Sequence, residues 1–99
     1  MASTLVYYAQ KDNTGFPIPG TMMSVPSGNA IPTNSISIDT YLFPVSEEVA
    51  NRVYHPEGVR YFVRVNKQGL VIPNTLISGT RAPKGLVREF KLGTSISPS

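Results

Sequence analysis

Residues 13–38 carry no charged side chain, although Asp12 and Asp39 flank them directly. The segment contains four prolines and three glycines, which exclude a helix and any long central strand. Its apolar side chains are too many for a disordered linker, which is normally polar or charged. They are Phe16, Ile18, Met22, Met23, Val25, Ile31, Ile36 and Ile38. We therefore predict an extended arm that lies on a surface, either of its own domain or of a neighbouring copy.

The length of 99 residues predicts a single domain spanning residues 1–99. A chain of this size buries only about 60–70% of the surface that its unfolded form exposes, so its stability depends on a well-packed core or on partners. Cysteine is absent and histidine occurs once, which excludes disulfides, thiolate metal sites and imidazole-rich metal sites. We expect no cofactor.

Charge is divided unevenly along the chain. Residues 1–50 hold one cation and four anions, for a net charge of −3, whereas residues 51–99 hold eight cations and two anions, for a net charge of +6. Such asymmetry is compatible with a nucleic-acid face, with surfaces that dock head to tail, or with ordinary solvated charges.

Hydrophobic periodicity predicts strands over residues 4–9, 59–65, 70–72, 75–78 and 86–92, the last four forming a meander. The segment 59–65 alternates cleanly. One face carries Val59, Tyr61, Val63 and Val65, and the other carries Arg60, Phe62 and Arg64. Residues 66–69 and 82–85 have the composition of turns.

One short helix is predicted over residues 47–53, with Ser46 as its N-cap and two glutamates in its first turn. The proline after His55 ends it. The predicted fold is thus mainly β: a small sandwich or barrel with one short helix, a Pro/Gly-rich extended arm at 13–38 and a loose tail at 93–99.

The sequence offers no convincing catalytic group. His55 has Glu57 close by, but it lies in a Pro/Gly turn without a nucleophile motif. Glu47 and Glu48 are adjacent and would point about 100° apart on a helix. The segment 79–85 resembles a phosphate loop only in composition, because Pro83 removes a backbone donor. We expect no enzymatic activity.

Basic and aromatic residues interleave in the second half of the chain, and two interpretations remain open. A small barrel that binds single-stranded nucleic acid uses such a positive, stacking face. Alternatively, this face and the arm contact other protein subunits, which gives the apolar arm a role. The residues predicted to contact a partner are Phe16, Ile18, Met22, Met23, Arg60, Phe62 and Arg64.

In style the chain resembles the small virion structural proteins of tailed bacteriophages. The likeness rests on the opening strand, the uncharged Gly-Phe-Pro-Ile-Pro-Gly-Thr-Met-Met segment, the β-rich second half and the Ser/Thr/Pro tail. Capsid decoration proteins and tail or neck components of this kind are mostly β and lace subunits together with extended arms. The resemblance implies a non-enzymatic assembly protein, made in the host cytoplasm and located in the virion, whose partners are the major capsid protein, other virion proteins or further copies of itself. It implies no membrane partner.

Overall fold

The computed structural model describes residues 4–48 and 50–93, and within them the chain forms nine short strands and one 3-10 helix. The strands are β1 Leu5–Gln10, β2 Met23–Pro26, β3 Ser35–Ser37, β4 Leu42–Pro44, β5 Arg52–Val53, β6 Arg60–Arg64, β7 Ile77–Gly79, β8 Val87–Phe90 and β9 Leu92–Gly93, and the 3-10 helix is Asp39–Tyr41. The mainly β prediction is confirmed.

The strands assemble into three antiparallel sheets. Their orders are β2-β1-β3, β4-β8-β6-β7 and β5-β9. In the described part of the chain these sheets do not close into a barrel, so the arrangement is sandwich-like.

The main core lies between the three-stranded and the four-stranded sheets. Ala9 and Ile38 come from the first sheet and its flank, and Tyr61, Val63 and Phe90 come from the second. All five are buried, and Ala9, Ile38 and Val63 are fully so. Burial of such side chains is the largest stabilising contribution available to a domain of this size.

The predicted arm is not an element apart, because it packs on its own domain. Its prolines and glycines divide it into short pieces, two of which become β2 and β3 and pair with opposite edges of β1. Phe16 enters the core, where its ring stacks on Tyr61 with centroids 5.6 Å apart. The sequence left open whether the arm lies on its own domain or on a neighbouring copy, and in this structure it lies on its own domain.

The prediction of a helix at 47–53 is wrong. Residues 45–46 form a turn in which the Glu47 N–H donates to the Pro44 carbonyl at 2.9 Å, and Arg52–Val53 pairs with Leu92–Gly93 as a strand. Asn51 adopts a φ of +67°, which is incompatible with a right-handed helix. A two-turn helix is marginal alone, and here strand pairing replaces it. Val49 lies outside the described residues.

The predicted central strand is confirmed as β6, and the turn after it has Gly69 at a φ of +83°. The predicted meander order is wrong, because β8 pairs with β6 on the edge opposite β7. Residues 70–72 contribute only an isolated bridge between Val65 and Val71. Of the predicted tail, residues 94–99 lie outside the described residues.

Candidate functional site

A buried carboxylate, that of Glu89, lies on the face of the four-stranded sheet that points away from the main core. The register of β8 with its neighbours places Glu89 between Phe43 of β4 and Phe62 of β6. Phe62 is 1% exposed and Glu89 is 2% exposed. A carboxylate in such surroundings requires charged partners, because burying an isolated charge is very costly.

Arg60 and Lys91 supply those partners. The Arg60 guanidinium donates two hydrogen bonds to Glu89, from Nε to Oε2 at 3.0 Å and from Nη2 to Oε1 at 2.9 Å. These bonds raise the pKa of Arg60 above its ordinary value, against the opposing effect of partial burial. The Lys91 ammonium lies 3.6 Å from Glu89 Oε1. The three side chains together carry a net charge of +1.

The Lys91 side chain ends in a pocket of about 330 Å³ beside Tyr54. Its Nζ donates to the Tyr54 hydroxyl at 3.4 Å and lies 4.5 Å from the centroid of the Tyr54 ring. We call this cavity the charged pocket. Its polar lining residues are Glu48, Tyr54, His55, Arg60, Glu89 and Lys91, and its apolar lining residues are Phe16, Val45, Val53, Val59 and Phe90.

His55 is part of an aromatic wall of the charged pocket. Its ring lies 4.9 Å from that of Phe16 and 5.6 Å from that of Tyr61. Nδ1 accepts a hydrogen bond from the Glu57 N–H at 3.1 Å, which places the proton of a neutral imidazole on Nε2. In the part of the chain described, no hydrogen bond joins His55 to a serine or threonine hydroxyl, so this geometry contains no assembled nucleophile–base pair.

Asp12 fixes the turn that holds Phe16 in this wall. Its Oδ1 accepts hydrogen bonds from the Thr14 N–H at 2.9 Å, the Thr14 hydroxyl at 2.6 Å and the Phe16 N–H at 3.0 Å. Partial burial raises the pKa of the Asp12 carboxyl, but these hydrogen bonds and the nearby His55 outweigh it, so that the pKa is lowered. The turn is therefore a rigid support for the Phe16 ring.

A second concavity, the apolar groove, has a volume of about 650 Å³. It is lined by the first residues of β1, by the 3-10 helix and by the turn after β6. Leu5 is 46% exposed and Leu70 is 62% exposed in its walls. The one charged residue among the described lining is Asp39, whose Oδ2 accepts a hydrogen bond from the Tyr7 N–H at 2.9 Å.

Asp39 also explains why the groove exists. The β1–β3 pairing stops at Ser37, because the chain turns into the 3-10 helix at Asp39. The Asp39 carboxylate then takes the position of a backbone acceptor opposite Tyr7. Within residues 4–48 and 50–93, the first residues of β1 consequently have no neighbouring strand on this edge.

The structure distributes the predicted partner-contacting residues over several environments. Phe16, Met22 and Phe62 are buried, Met23 is half-buried and Ile18 is 37% exposed. Arg60 lines the charged pocket together with Phe16, whereas the exposed Arg64 donates to the Lys84 carbonyl at 3.0 Å. In this fold the side chains of Phe16, Met22 and Phe62 are used mainly for packing within the domain, since each is at most 8% exposed.

The sequence analysis did not predict that Glu89 and Lys91 form a buried pair. It also did not predict that Leu5 and Leu70 line a groove. In the sequence, Glu89 and Lys91 alternate with Phe90 and Leu92, a pattern typical of the solvent-facing positions of a strand. The sequence contained one signal, Phe62. A phenylalanine on the strand face that otherwise carries Arg60 and Arg64 indicates that other residues cover this face too. No local pattern marked the groove, because Leu5 and Leu70 are 65 positions apart.

Comparisons with protein-family models, with curated proteins and with solved structures give no match to this chain. Within residues 4–48 and 50–93, His, Asp and Glu side chains form no group of three or more that could hold a metal ion. No helix in these same ranges has the length and hydropathy needed to cross a bilayer.

Proposed function

We propose that this chain is a non-enzymatic assembly protein that binds other proteins through its apolar groove. The observation that carries the proposal is the pair of large apolar walls, Leu5 and Leu70, which face solvent in a groove of about 650 Å³. Contiguous exposed apolar surface in a concavity is typical of protein-binding sites. Among the described residues, the edge of β1 at Leu5 has no partner strand, so an extended segment of a partner can pair there.

The charge of the groove favours a protein partner over nucleic acid. A groove for a phosphate backbone requires several lysines or arginines, and the charged lining residue described here is an aspartate. An apolar wall with few charges is typical of the central part of a protein interface.

The alternative, a nucleic-acid-binding barrel, is less well supported. It needs Phe62 as a stacking platform, but Phe62 is 1% exposed. Arg60 is bound to Glu89, and Lys91 is 5% exposed. The exposed cations that remain, such as Lys67 and Lys84, support only weak, salt-sensitive adhesion.

We further propose that the partner is a virus particle: many copies of the chain decorate the capsid lattice of a tailed bacteriophage. It rests on the resemblance in style to small virion proteins and on a small β domain with an apolar groove. A lattice presents the same surface many times, so a modest interface per copy is sufficient.

The test is co-sedimentation of the purified chain with particles assembled from the major capsid protein of the genome that encodes it. We expect many copies per particle and retention in high salt, because apolar contacts are insensitive to screening. Leu70→Glu should abolish co-sedimentation. Leu86→Glu is the matched control, since Leu86 is 55% exposed and lies outside the groove.

Three results would count against the proposal. Absence of the wild-type chain from the particles contradicts capsid decoration. Equal binding by Leu70→Glu contradicts the assignment of the groove. Tight binding to a single-stranded oligonucleotide that falls steeply with salt, in the absence of particle binding, favours the nucleic-acid alternative.

A further inference from the structure

We propose that the charged pocket binds a carboxylate carried on an aromatic or compact apolar group. The ligand's carboxylate would bind the Lys91 ammonium, and its apolar part would contact the wall formed by Phe16 and His55. The charged pocket and the apolar groove have no lining residue in common, so this site is separate from the proposed docking surface.

Among the described residues, the Lys91 ammonium has no hydrogen-bond acceptor closer than 3.4 Å. It is 5% exposed and has three N–H donors. Its two polar neighbours are at long distance: Glu89 Oε1 at 3.6 Å and the Tyr54 hydroxyl at 3.4 Å. Charge-assisted N–H···O bonds are normally about 2.7–2.9 Å long, so an oxygen placed in the pocket can make a better bond than either neighbour does.

The charges around the Lys91 ammonium favour a singly charged anion. Arg60, Lys91 and Glu89 form a largely buried trio with a net charge of +1, and Glu89 is already satisfied by Arg60 through two hydrogen bonds. One additional negative charge neutralises the trio. The fourth charged lining residue, Glu48, brings the formal charge of the lining to zero, but it is exposed and its charge is screened by solvent. A dianion would exceed the charge of the trio, and it would also face the carboxylate of Glu48 at the exposed rim. A monocarboxylate is therefore favoured over a phosphate.

The size and shape of the charged pocket suit a single small apolar group. A volume of about 330 Å³ is at the lower end of small-ligand pockets, which span about 300–1,000 Å³. The Phe16 and His55 rings lie 4.9 Å apart at an interplanar angle of 70°. They present an aromatic corner, which Val59 extends. A single ring or branched aliphatic group fits this wall and can pack edge-to-face against it.

The same chemistry occurs in a free aromatic acid and in the C-terminal residue of a peptide. The first experiment therefore titrates the isotopically labelled full chain with phenylacetate and, separately, with acetyl-Gly-Phe. The readout is amide chemical shifts in two-dimensional NMR spectra. We expect shifts confined to residues near 16, 45–48, 53–60 and 89–92, and at least about tenfold weaker binding of phenylacetamide and of the C-terminally amidated peptide.

This experiment distinguishes the two sources and can overturn the proposal with the wild-type protein alone. Binding of phenylacetate alone identifies a small-acid site, and tighter binding of the peptide identifies a C-terminus site. The proposal fails if neither acid shifts these residues at up to about 10 mM, or if the amides bind as tightly as the acids.

The second experiment uses variants. Lys91→Met should weaken acid binding at least about tenfold, while the exposed control Lys84→Met should not change it. Because Lys91→Met leaves Glu89 with one partner, a variant at the rim provides independent evidence. Val53→Trp, at a position that is 49% exposed, should obstruct the pocket and weaken binding of acid and amide alike. Unchanged acid binding in either pocket variant overturns the assignment.

Discussion

The Arg60 guanidinium and the Glu89 carboxylate form a two-bond ion pair, with N···O distances of 3.0 Å and 2.9 Å, across the β6–β8 pairing. The pair joins residues 29 positions apart and covers the face of the sheet opposite the main core. On this face the Arg60 guanidinium carbon also lies 5.1 Å from the centroid of the Phe62 ring. Both faces of the four-stranded sheet are thus covered. The main core packs on one face, and ion-paired and aromatic side chains cover the other.

Glu89→Gln should destabilise the protein more than Arg60→Met does. The first change leaves two cations side by side, one of them in the nearly buried Lys91, and we expect a loss of about 3 kcal/mol in the free energy of unfolding. The second leaves Glu89 paired with Lys91, and we expect a loss of about 1–2 kcal/mol because the Arg60 side chain is 34% exposed. Urea unfolding at neutral pH measures both. The reverse ranking would contradict this account of the trio.

Phe16→Ala should cost about 3–5 kcal/mol in the free energy of unfolding, because Phe16 is 2% exposed and lies in the main core. Ile18→Ala, two positions away and 37% exposed, should change that free energy by no more than about 0.5 kcal/mol. Urea unfolding of the two variants and the wild type measures both changes in the free energy of unfolding. Equal, small effects would mean that the segment 13–38 is held loosely.

The Asp12 turn should lose its contribution to stability in acid. Folding lowers the Asp12 pKa below its ordinary 3.8, so the contribution is complete above that value and disappears as the pH falls through the folded-state pKa. Asp12→Ala should therefore be less stable than wild type by about 1 kcal/mol near pH 6, with the gap narrowing as the pH falls below the ordinary pKa of 3.8. Unfolding curves at several pH values measure this gap, and a gap independent of pH would contradict the assigned role.

How far the sequence predicts this fold depends on whether a property is local. The strand β6 and the turn at 66–69, in which Gly69 has a φ of +83°, are local features, and both were predicted. The helix prediction at 47–53 failed because a good N-cap and two glutamates contribute little when Arg52–Val53 can pair with Leu92–Gly93, some 40 residues later. Long-range pairing overrides local propensity in such a short segment.

The candidate sites were less predictable than the fold. Glu89 and Lys91 alternate with apolar residues in a way that normally marks solvent-facing positions. In the fold, Glu89 lies between Phe43 and Phe62 of the neighbouring strands, and Lys91 lies against the Tyr54 ring. The uncharged composition of residues 13–38 did indicate an apolar surface that needs covering. It did not specify that Phe16 would be buried against Tyr61 of the same chain.

Tyr61 should make the protein sensitive to alkali. Burial of its hydroxyl raises its pKa above the ordinary 10.0, and the negative charges of Asp12 and Glu57 add to the effect. The unfolded chain therefore ionises first. The stabilising contribution is complete below about pH 10 and is lost as the pH rises through the folded-state pKa.

Tyr61→Phe removes this ionisation while retaining the ring that stacks on Phe16. Between about pH 9 and pH 11, the midpoint of urea unfolding should consequently fall more steeply for wild type than for Tyr61→Phe. Groups that titrate equally in both proteins have the same effect on both urea midpoints and so cancel in this comparison. If the two midpoints fall in parallel with pH, the fold does not hold the Tyr61 hydroxyl in its neutral form.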